Sequence, residues 1–255
     1  MQNTVLVIPS RFASTRLPGK PLRLIVGKPM IQHVYERAVE SNFETIIIAT
    51  EDQKIQSCCE DFGATVCMTS DQHETGSDRL AEVAKIYGWS DDTIVVNLQG
   101  DEPLTPIANL YQVATNLAHN PDASMATLAT PIRDAKQIAD PNIVKVVVDK
   151  NGMALYFSRA PIPFQRDAGE FESSDYALRH IGIYAYRVSY LKDFAARETC
   201  QLENLEKLEQ LRAMWHGARL HVEIAAEVPG HGVDTEEDLL AVEKVMLSTL
   251  GKKRQ

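Results

Sequence analysis

Short apolar runs alternate with segments of helical periodicity in the first half of the chain. Runs with the length and β-branched content of buried strands lie at residues 4–9, 44–50, 64–69 and 93–99. Between them, apolar residues recur at spacings of three and four, as at Met30, Ile31, Val34 and Ala38. Strands that are apolar on both faces and alternate with helices predict a mostly parallel sheet that is covered by helices on both faces.

The second half departs from this alternation. Strand-like runs at 142–148 and 153–158 flank the sequence DKNG, which is typical of a hairpin turn, so the pattern predicts an antiparallel hairpin insertion. Leucines at helical spacing predict one helix over about 202–216. Further strands are predicted at 180–187 and 219–225, and a closing helix at 235–250. We therefore predict an α/β fold in a single domain that spans residues 1–255.

Composition narrows the class of protein. Hydrophobic residues make up 44% of the chain and charged residues 24%, which is typical of a globular protein with a buried core. The apolar runs are far shorter than the roughly 20 residues that a bilayer-spanning helix needs, and no secretion signal is evident, so we expect a cytoplasmic protein without membrane insertion. Four cysteines, two of them adjacent, favour reduced thiols over a disulfide scaffold or a metal knuckle.

Charge is unevenly distributed along the chain. The net charge of −9 argues against a nucleic-acid partner, which normally meets a basic face. No acidic residue precedes Glu36, yet five cations lie in that stretch: Arg11, Arg16, Lys20, Arg23 and Lys28. A local cationic segment in an acidic protein favours binding of a small anion, whereas the alternative is a set of solvated side chains.

The segment after the first strand is a candidate phosphate site, since ligands of open parallel sheets collect at the carboxyl ends of strands. Residues 9–21 lack both the P-loop and the dinucleotide-binding glycine spacing. They combine Arg11, Arg16 and Lys20 with hydroxyls and backbone N–H groups, which suit the oxygens of a triphosphate. The alternative interpretation is a charged surface loop.

Two aspartates are candidate magnesium ligands. Asp101 follows the fourth strand directly after Gly100, and Asp234 precedes the closing helix. Mg²⁺ prefers one or two carboxylates together with phosphate oxygens and water. Each aspartate has an alternative role as a helix cap, and for the neighbouring Glu102 we favour capping of the helix that begins near Pro106.

Other polar positions are weak signals when taken singly. The segment 71–79 opens a helix, and its Ser77 and Asp78 could cap that helix or contact a base or ribose. A lone histidine such as His180 is usually structural, and the pair Glu209 and Gln210 on a leucine-rich helix usually forms a solvated edge.

Five sequence motifs are more informative in combination than any one of them is alone. In chain order they are IPSRFASTRLPGKPL at 8–22, NLQGDEP at 97–103, HIGIYAY at 180–186, LEQLR at 208–212 and GVDT at 232–235. Their joint occurrence closely resembles the 3-deoxy-manno-octulosonate (Kdo) cytidylyltransferases. The resemblance extends from residue 5 to about residue 240, which is nearly the whole chain.

This resemblance implies a fold and a reaction. The fold would be that of the nucleotide-diphospho-sugar transferases. The reaction would join CTP and Kdo to give CMP-Kdo and pyrophosphate, with Mg²⁺, for lipopolysaccharide biosynthesis in a cytoplasmic homodimer. The sugar 2-hydroxyl would attack the α-phosphorus in line, so that no protein nucleophile is needed. A cytidylyltransferase for a related sugar acid, such as 8-amino-Kdo, is one alternative, and a non-enzymatic nucleotide-binding protein is another.

The resemblance also implies roles for individual residues. Arg11 and Lys20 would hold the leaving pyrophosphate, and Asp101 and Asp234 would bind the metal. The nucleotide-binding residues would be Arg11, Ser14, Lys20, Ser77, Asp78, Arg79 and Gln99. The sugar-binding residues would be Arg159, His180, Tyr184, Glu209 and Gln210. One departure lies at residues 75–78, which read TGSD where many members have SGTD, so the order of the two hydroxyl residues is exchanged.

Overall fold

The computed structural model describes residues 3–14, 16–73, 75–166 and 177–252. The strands in these parts are β1 (Thr4–Pro9), β2 (Leu24–Ile25), β3 (Lys28–Pro29), β4 (Ile46–Thr50), β5 (Val66–Met68), β6 (Ile94–Asn97), β7 (Met125–Pro131), β8 (Lys145–Val148), β9 (Ala154–Ser158), β10 (Leu178–Arg187) and β11 (Leu220–Ile224). The helices are α1 (Met30–Glu40), α2 (Gln53–Asp61), α3 (Gly76–Ile86), α4 (Ile107–His119), α5 (Ala135–Ala139), α6 (Val188–Phe194), α7 (Gln201–Glu206), α8 (Gln210–Trp215) and α9 (Glu236–Lys252).

One mixed sheet organises the fold. Seven strands follow the order β11-β7-β10-β6-β1-β4-β5, and β8 and β9 extend the sheet beside β10. Neighbours among β6, β1, β4 and β5 are parallel, as are β7 and β11. The long strand β10 is antiparallel to both β6 and β7 and therefore joins these two parallel groups. The predicted α/β class with its antiparallel hairpin is confirmed.

Both faces of the sheet are covered by helices, as the continuous apolar strands predict. On β1, Val5 and Val7 pack into the core that contains Leu80 of α3. Leu6 and Ile8 point to the opposite face and pack with residues of α1 and α4. Since side chains alternate along a strand, burial of consecutive residues requires a helical layer on each side.

The hairpin turn between β8 and β9 forms where the sequence predicts it. The Asp149 carboxylate accepts hydrogen bonds from the backbone N–H groups of Asn151 and Met153, both at 2.8 Å. Gly152 adopts a positive φ of 75°, a conformation that L side chains rarely take. This local chemistry explains why the turn can be predicted from four residues.

The prediction of one helix over about 202–216 is wrong. The structure divides that segment into α7 and α8, because Lys207 adopts a left-handed conformation with φ 53° and ends α7. Leucine spacing continues across the break, so the apolar pattern does not show it. The strand β7 was not predicted, although its first six residues are buried, because its small alanine and threonine side chains give a weak strand signal.

None of the helices in the described residues combines the length and the apolar character that crossing a bilayer requires. The four cysteines are free. Burial raises the pKa of Cys59 to about 12, so its thiol stays protonated at neutral pH.

Candidate active site

A cavity of about 390 Å³ opens at the carboxyl ends of β1 and β6. The two strand ends approach closely there, since a Cβ on Gly100 would lie 2.9 Å from the Pro9 carbonyl oxygen. A side chain at position 100 would therefore displace the backbone. The cavity is lined by Pro9, Ser10, Arg11, Ala13, Ser14, Arg16, Lys20, Pro21, His73, Thr75, Gly76, Arg79, Gln99, Gly100, Asp101 and Asp234.

The loop that follows β1 and carries Arg11, Arg16 and Lys20, here named the cationic loop, forms one wall of this cavity. Ser10 N–H donates to the Ala49 carbonyl at 2.8 Å, which extends the pairing of β1 with β4 to the start of the loop. Gly19, with φ 64°, turns the chain into a short 3-10 helix at Lys20–Leu22. The loop thereby brings Arg11, Arg16 and Lys20 to the same cavity, together with Ser14.

Lys20 joins the two candidate metal ligands. Its ammonium donates to Asp101 Oδ2 at 2.5 Å and to Asp234 Oδ1 at 3.0 Å. Arg16 Nη2 lies 3.0 Å from the other oxygen of Asp234. Burial by itself lowers the pKa of Lys20, but the contacts with Asp101 and Asp234 outweigh burial and raise it. Two carboxylates far apart in sequence thus converge on one cationic centre.

Asp234 does not cap α9. Thr235 Oγ1 accepts from the Asp238 backbone N–H at 3.2 Å, and Asp238 Oδ2 accepts from the Thr235 backbone N–H at 2.9 Å. This reciprocal pair is a capping box. It leaves the Asp234 carboxylate free to face Lys20 and Arg16.

The capping role favoured for Glu102 is wrong. The residue that precedes α4 is Pro106, and no side chain caps that helix. Glu102 instead packs against Gly232, where a Cβ would lie 2.6 Å from its Oε1. Burial, followed by the charges of Asp101 and Asp234, raises the pKa of Glu102 to about 8. A third carboxyl therefore lies beside the two candidate metal ligands.

The start of α3 separates this cavity from a second one. Thr75 Oγ1 accepts from the Asp78 backbone N–H at 3.3 Å and so caps the helix, and it also donates to the Asp78 carboxylate at 2.7 Å. Gly76 and Arg79 face the first cavity. Ser77 lines the second cavity and donates to the Tyr186 hydroxyl at 3.2 Å. Of the predicted nucleotide-binding residues, Ser77 and Asp78 thus lie outside the lining of the first cavity.

The second cavity is small, at about 70 Å³, and is lined largely by aromatic side chains. Its polar lining comprises Ser77, Tyr184, Tyr186, Tyr190, Glu209 and Gln210. Burial raises the pKa of Glu209, although hydrogen bonding to Ser77 and Thr75 acts in the opposite direction. Burial, and then the nearby Tyr186 and Glu209, also raise the pKa of Tyr184. The interpretation of Glu209 and Gln210 as a solvated helix edge, which the leucine pattern alone favours, is therefore wrong, since both residues line this cavity.

A β-bulge places His180 beside Tyr184. On β10, Ile181 pairs with Leu128 of β7, and Tyr184 pairs with Thr127, which is adjacent to Leu128. The two residues of β10 between Ile181 and Tyr184 therefore have no partner on β7. The rings of His180 and Tyr184 consequently lie 5.4 Å apart, far closer than residues four apart in a regular strand. Thr127 Oγ1 is 3.0 Å from His180 Nε2. Burial lowers the pKa of His180 to about 3, so the imidazole is neutral.

Arg159 lines neither cavity. Its Nε donates to the Glu206 carbonyl at 2.7 Å and its Nη1 donates to the Pro141 carbonyl at 2.9 Å. These contacts join the end of β9 to the end of α7. Its predicted role in sugar binding stays a prediction.

Among the polar residues that face these cavities, Tyr186, Tyr190 and His73 were not predicted from the sequence. Tyr186 lies within the HIGIYAY motif but was not singled out, and His73 lies in the segment 71–79. Another residue that was not predicted, Glu51, contacts both the cationic loop and Arg79. Glu51 directly follows β4, so the rule that directs attention to strand ends could have found it.

Asp101 and Asp234 fit a magnesium ion that is held jointly with phosphate oxygens and water. They already contact one cationic group, the Lys20 ammonium, and they line the same cavity as the phosphate-binding candidates of the loop. Across the described ranges, no cluster of three or more His, Cys, Asp and Glu side chains could hold a metal by itself.

The chain matches known proteins along nearly its whole length. Residues 5–224 match the cytidylyltransferase family. The 3-deoxy-manno-octulosonate cytidylyltransferase of Thioalkalivibrio sulfidiphilus is 56% identical, over 94% of this chain and 98% of that protein. A protein with the same name from Actinobacillus pleuropneumoniae is 51% identical, over 96% of this chain and 99% of its own length.

Solved structures agree with these sequence matches. The structure of a CMP:2-keto-3-deoxy-manno-octonic acid synthetase complexed with CTP superposes with a TM-score of 0.89 at 41% identity, covering 97% of this chain and all of that one. A cytidylyltransferase from Leptospira borgpetersenii superposes with a TM-score of 0.61 at 17% identity, over 95% of this chain and 86% of that one, and shows the shared fold.

The chain is a nucleotidyltransferase, and its α/β sheet brings the cationic loop and the paired carboxylates together at the strand ends. The chain belongs to the cytidylyltransferase family, and within it to the 3-deoxy-manno-octulosonate cytidylyltransferases.

Proposed function

We propose that this protein transfers the cytidylyl group of CTP to Kdo, releasing pyrophosphate. The observation that carries the proposal is the 390 Å³ cavity in which Arg11 and Lys20 face Asp101 and Asp234. Relatives named for this reaction match almost the entire chain, and a solved relative is a complex with CTP. Both findings support the nucleotide half of the proposal and the choice of sugar.

The reaction requires positioning and charge neutralisation. The Kdo 2-hydroxyl attacks the α-phosphorus of CTP and loses its proton to solvent, a new sugar oxygen–phosphorus bond forms, and the bond to the bridging oxygen of the β-phosphate breaks. Pyrophosphate leaves with that oxygen. Arg11 and Lys20 line the cavity where they can hold the negative charge that grows on this leaving group. We assign no side chain the role of nucleophile.

Asp101 and Asp234 would hold the magnesium ion on which we expect the reaction to depend. A divalent cation held by these two carboxylates would supply the positive charge that reduces the repulsion between the triphosphate and the sugar acid. Lys20 then takes part in two sets of interactions, because the ammonium that pairs with both carboxylates also lines the cavity that would receive the phosphates.

The second cavity supplies the remaining polar contacts for a sugar acid. Its volume of about 70 Å³ is room for about two water molecules at roughly 30 Å³ each. We infer that Kdo binding widens this cavity or that only part of the sugar enters it. His180 lines neither cavity, but its ring lies 5.4 Å from that of Tyr184, so a widened cavity would bring its neutral imidazole within reach of sugar hydroxyls.

Pyrophosphate release from a grid of substrates tests the proposal. Each of CTP, UTP, GTP and ATP is combined with Kdo, 8-amino-Kdo or sialic acid, with and without magnesium. We expect the fastest release with CTP, Kdo and magnesium together. A site built on hydrogen bonds can reject an analogue that lacks one by roughly 10⁴-fold. Faster turnover of sialic acid or of a purine triphosphate would contradict the assignment, and silence across the grid would favour a binding protein.

Several broader assignments accompany this proposal. We propose action in the cytoplasm, where CTP is available, in a step that supplies lipopolysaccharide biosynthesis. A homodimer is proposed on the family resemblance. We also propose that residues 1–255 act as one domain, since a single sheet takes strands from β1 to β11.

A further inference from the structure

We propose that Glu51 is a positioning residue for base selection, which sets the preference of the nucleotide cavity for cytosine over uracil. It does so by holding the Arg79 guanidinium and the backbone of the cationic loop in one fixed arrangement. This inference rests on the proposed function, since it concerns recognition of CTP.

Glu51 connects two walls of the nucleotide cavity. Its Oε1 accepts a hydrogen bond from the Phe12 backbone N–H at 3.0 Å. Its Oε2 lies 2.7 Å from Arg79 Nη2, as an ion pair in which the N–H does not point directly at the oxygen. Phe12 follows Arg11 in the cationic loop, and Arg79 lies in the first turns of α3. One carboxylate at the end of β4 thus links the cationic loop to the first turn of α3.

Arg79 depends on this carboxylate for its charge balance. The Arg79 side chain is only 5% exposed, and a buried guanidinium without a counter-charge is strongly unfavourable. Its Nη1 donates to the Thr69 hydroxyl, which is neutral. Glu82 also contributes negative charge nearby, but its carboxylate already accepts from His73 and from the Ser70 backbone N–H. Glu51 is therefore the direct partner that fixes the plane of Arg79.

A fixed arginine can distinguish the two pyrimidines. A guanidinium offers only donors, in a rigid planar array. Cytosine presents acceptors at N3 and O2, whereas uracil carries a hydrogen on N3 that would face another donor. Arg79 lines the nucleotide cavity, and its guanidinium contacts Glu51 through Nη2 and Thr69 through Nη1. Loosening this support would lower the affinity for cytosine more than that for uracil.

The test compares nucleotide binding by calorimetry in the absence of sugar. Glu51→Gln keeps an acceptor for the Phe12 N–H but removes the charge that pairs with Arg79. We expect CTP affinity to fall about ten-fold while UTP affinity changes little, so the CTP/UTP preference shrinks by about the same factor. Glu51→Asp keeps the charge on a shorter side chain and should recover part of the preference.

Glu203→Gln is the matched control. Glu203 Oε2 lies 3.1 Å from Nε of Arg212, another arginine that is 5% exposed, so its loss tests the general cost of breaking such a pair. We expect lower thermal stability with the CTP/UTP preference unchanged. An equal loss of CTP and UTP affinity in Glu51→Gln, or no loss at all, would overturn the inference. If that variant does not fold, an unchanged preference in Glu51→Asp would overturn it instead. Absence of a CTP preference in the unmodified protein would contradict the proposed function itself.

Discussion

The two cavities of this protein differ in the number of charged side chains that line them. The first is open, holds about 390 Å³, and is lined by Arg11, Arg16 and Lys20 together with Asp101 and Asp234. The second holds about 70 Å³ and is lined mainly by tyrosines and other large side chains, with the single carboxyl of Glu209. Charged groups dominate one half of the site, and buried polar groups dominate the other.

This difference follows from the groups that each cavity has to bind. A triphosphate carries several negative charges, so its site needs cations that remain charged, and contact with Asp101 and Asp234 raises the pKa of Lys20 in spite of burial. A sugar is recognised mainly through hydroxyls. The predicted sugar-binding residue His180 lines neither cavity but lies beside Tyr184 of the second one, and burial keeps it neutral. A neutral imidazole offers one donor and one acceptor, which suits hydroxyl groups.

Removing one carboxylate from the first cavity should have the largest effect. Asp101→Asn preserves the shape of the side chain and removes the charge that would bind magnesium. We expect turnover to fall by at least about 100-fold, a loss comparable to that of a main electrostatic contact in a transition state. Magnesium titrations of pyrophosphate release measure it, with circular dichroism as the check on folding.

Asp122→Asn serves as the control for this variant. Its carboxylate is 77% exposed and lies 3.6 Å from Arg219, away from the residues that line the nucleotide cavity. It should retain normal turnover. Near-normal activity of folded Asp101→Asn would exclude Asp101 as an essential metal ligand.

The cations of the first cavity should contribute the next largest effect. Arg11→Ala and Lys20→Ala should each weaken CTP binding by about 1.5–3 kcal/mol, the typical value for a charge-assisted contact. Loss of Lys20 also leaves Asp101 and Asp234 without their shared ammonium. Calorimetry at constant ionic strength measures both variants.

Arg23→Ala provides the comparison within the same cationic stretch. Arg23 pairs with Glu236 at 2.6 Å and does not line the cavity. CTP affinity should therefore be unchanged in that variant. If Arg11→Ala and Lys20→Ala behave in the same way as Arg23→Ala, these cations form only a solvated surface.

Protonation of His180, a predicted sugar-binding residue, should produce a smaller effect, which is a loss of folding stability at acidic pH. Its pKa is about 3 in the folded protein and 6.5 without perturbation, so between these values the unfolded chain binds a proton that the native state does not. The contribution of His180 to the free energy of unfolding is therefore fully present above about pH 6.5 and decreases as the pH is lowered towards 3. Lowering the pH from 7.5 to 5.0 should reduce the free energy of unfolding by about 2 kcal/mol through this group.

Urea unfolding at the two pH values measures this loss, and His180→Gln should remove most of it. His33 offers a control, because it is partly buried and hydrogen-bonded to the Ile25 carbonyl, away from both cavities. Replacement of His33 should leave the contribution of His180 in place. An unchanged pH dependence in His180→Gln would show that His180 is not the group responsible.

The nucleotide side was largely predictable because its residues are local. Arg11, Ser14 and Lys20 lie within one loop, and Asp101 directly follows a buried strand. Once the strands of a parallel sheet are recognised, their carboxyl ends meet at one edge. Asp234 was also a candidate from its place before the closing helix, but only the capping box of Thr235 and Asp238 shows that its carboxylate does not cap α9 and instead pairs with Lys20.

The sugar side was less predictable because its contacts join distant segments. Ser77 opens α3, yet its hydroxyl meets Tyr186 of β10 in the second cavity. Glu209 and Gln210 follow a break at Lys207 that the leucine pattern does not show. Neither the position of that break nor the direction of these side chains follows from sequence periodicity.

The sequence by itself determined the alternating elements, the hairpin turn and the cationic loop, because hydrophobic period and turn chemistry act over a few residues. Only the tertiary structure decided which polar groups meet. Lys20 neutralises two aspartates that are far apart in the chain, and Glu51 joins the loop to Arg79. The bulge in β10 brings His180 to Tyr184 through its register with β7. Such contacts depend on how strands pair and helices pack, and many sequences with the same local pattern would place these side chains elsewhere.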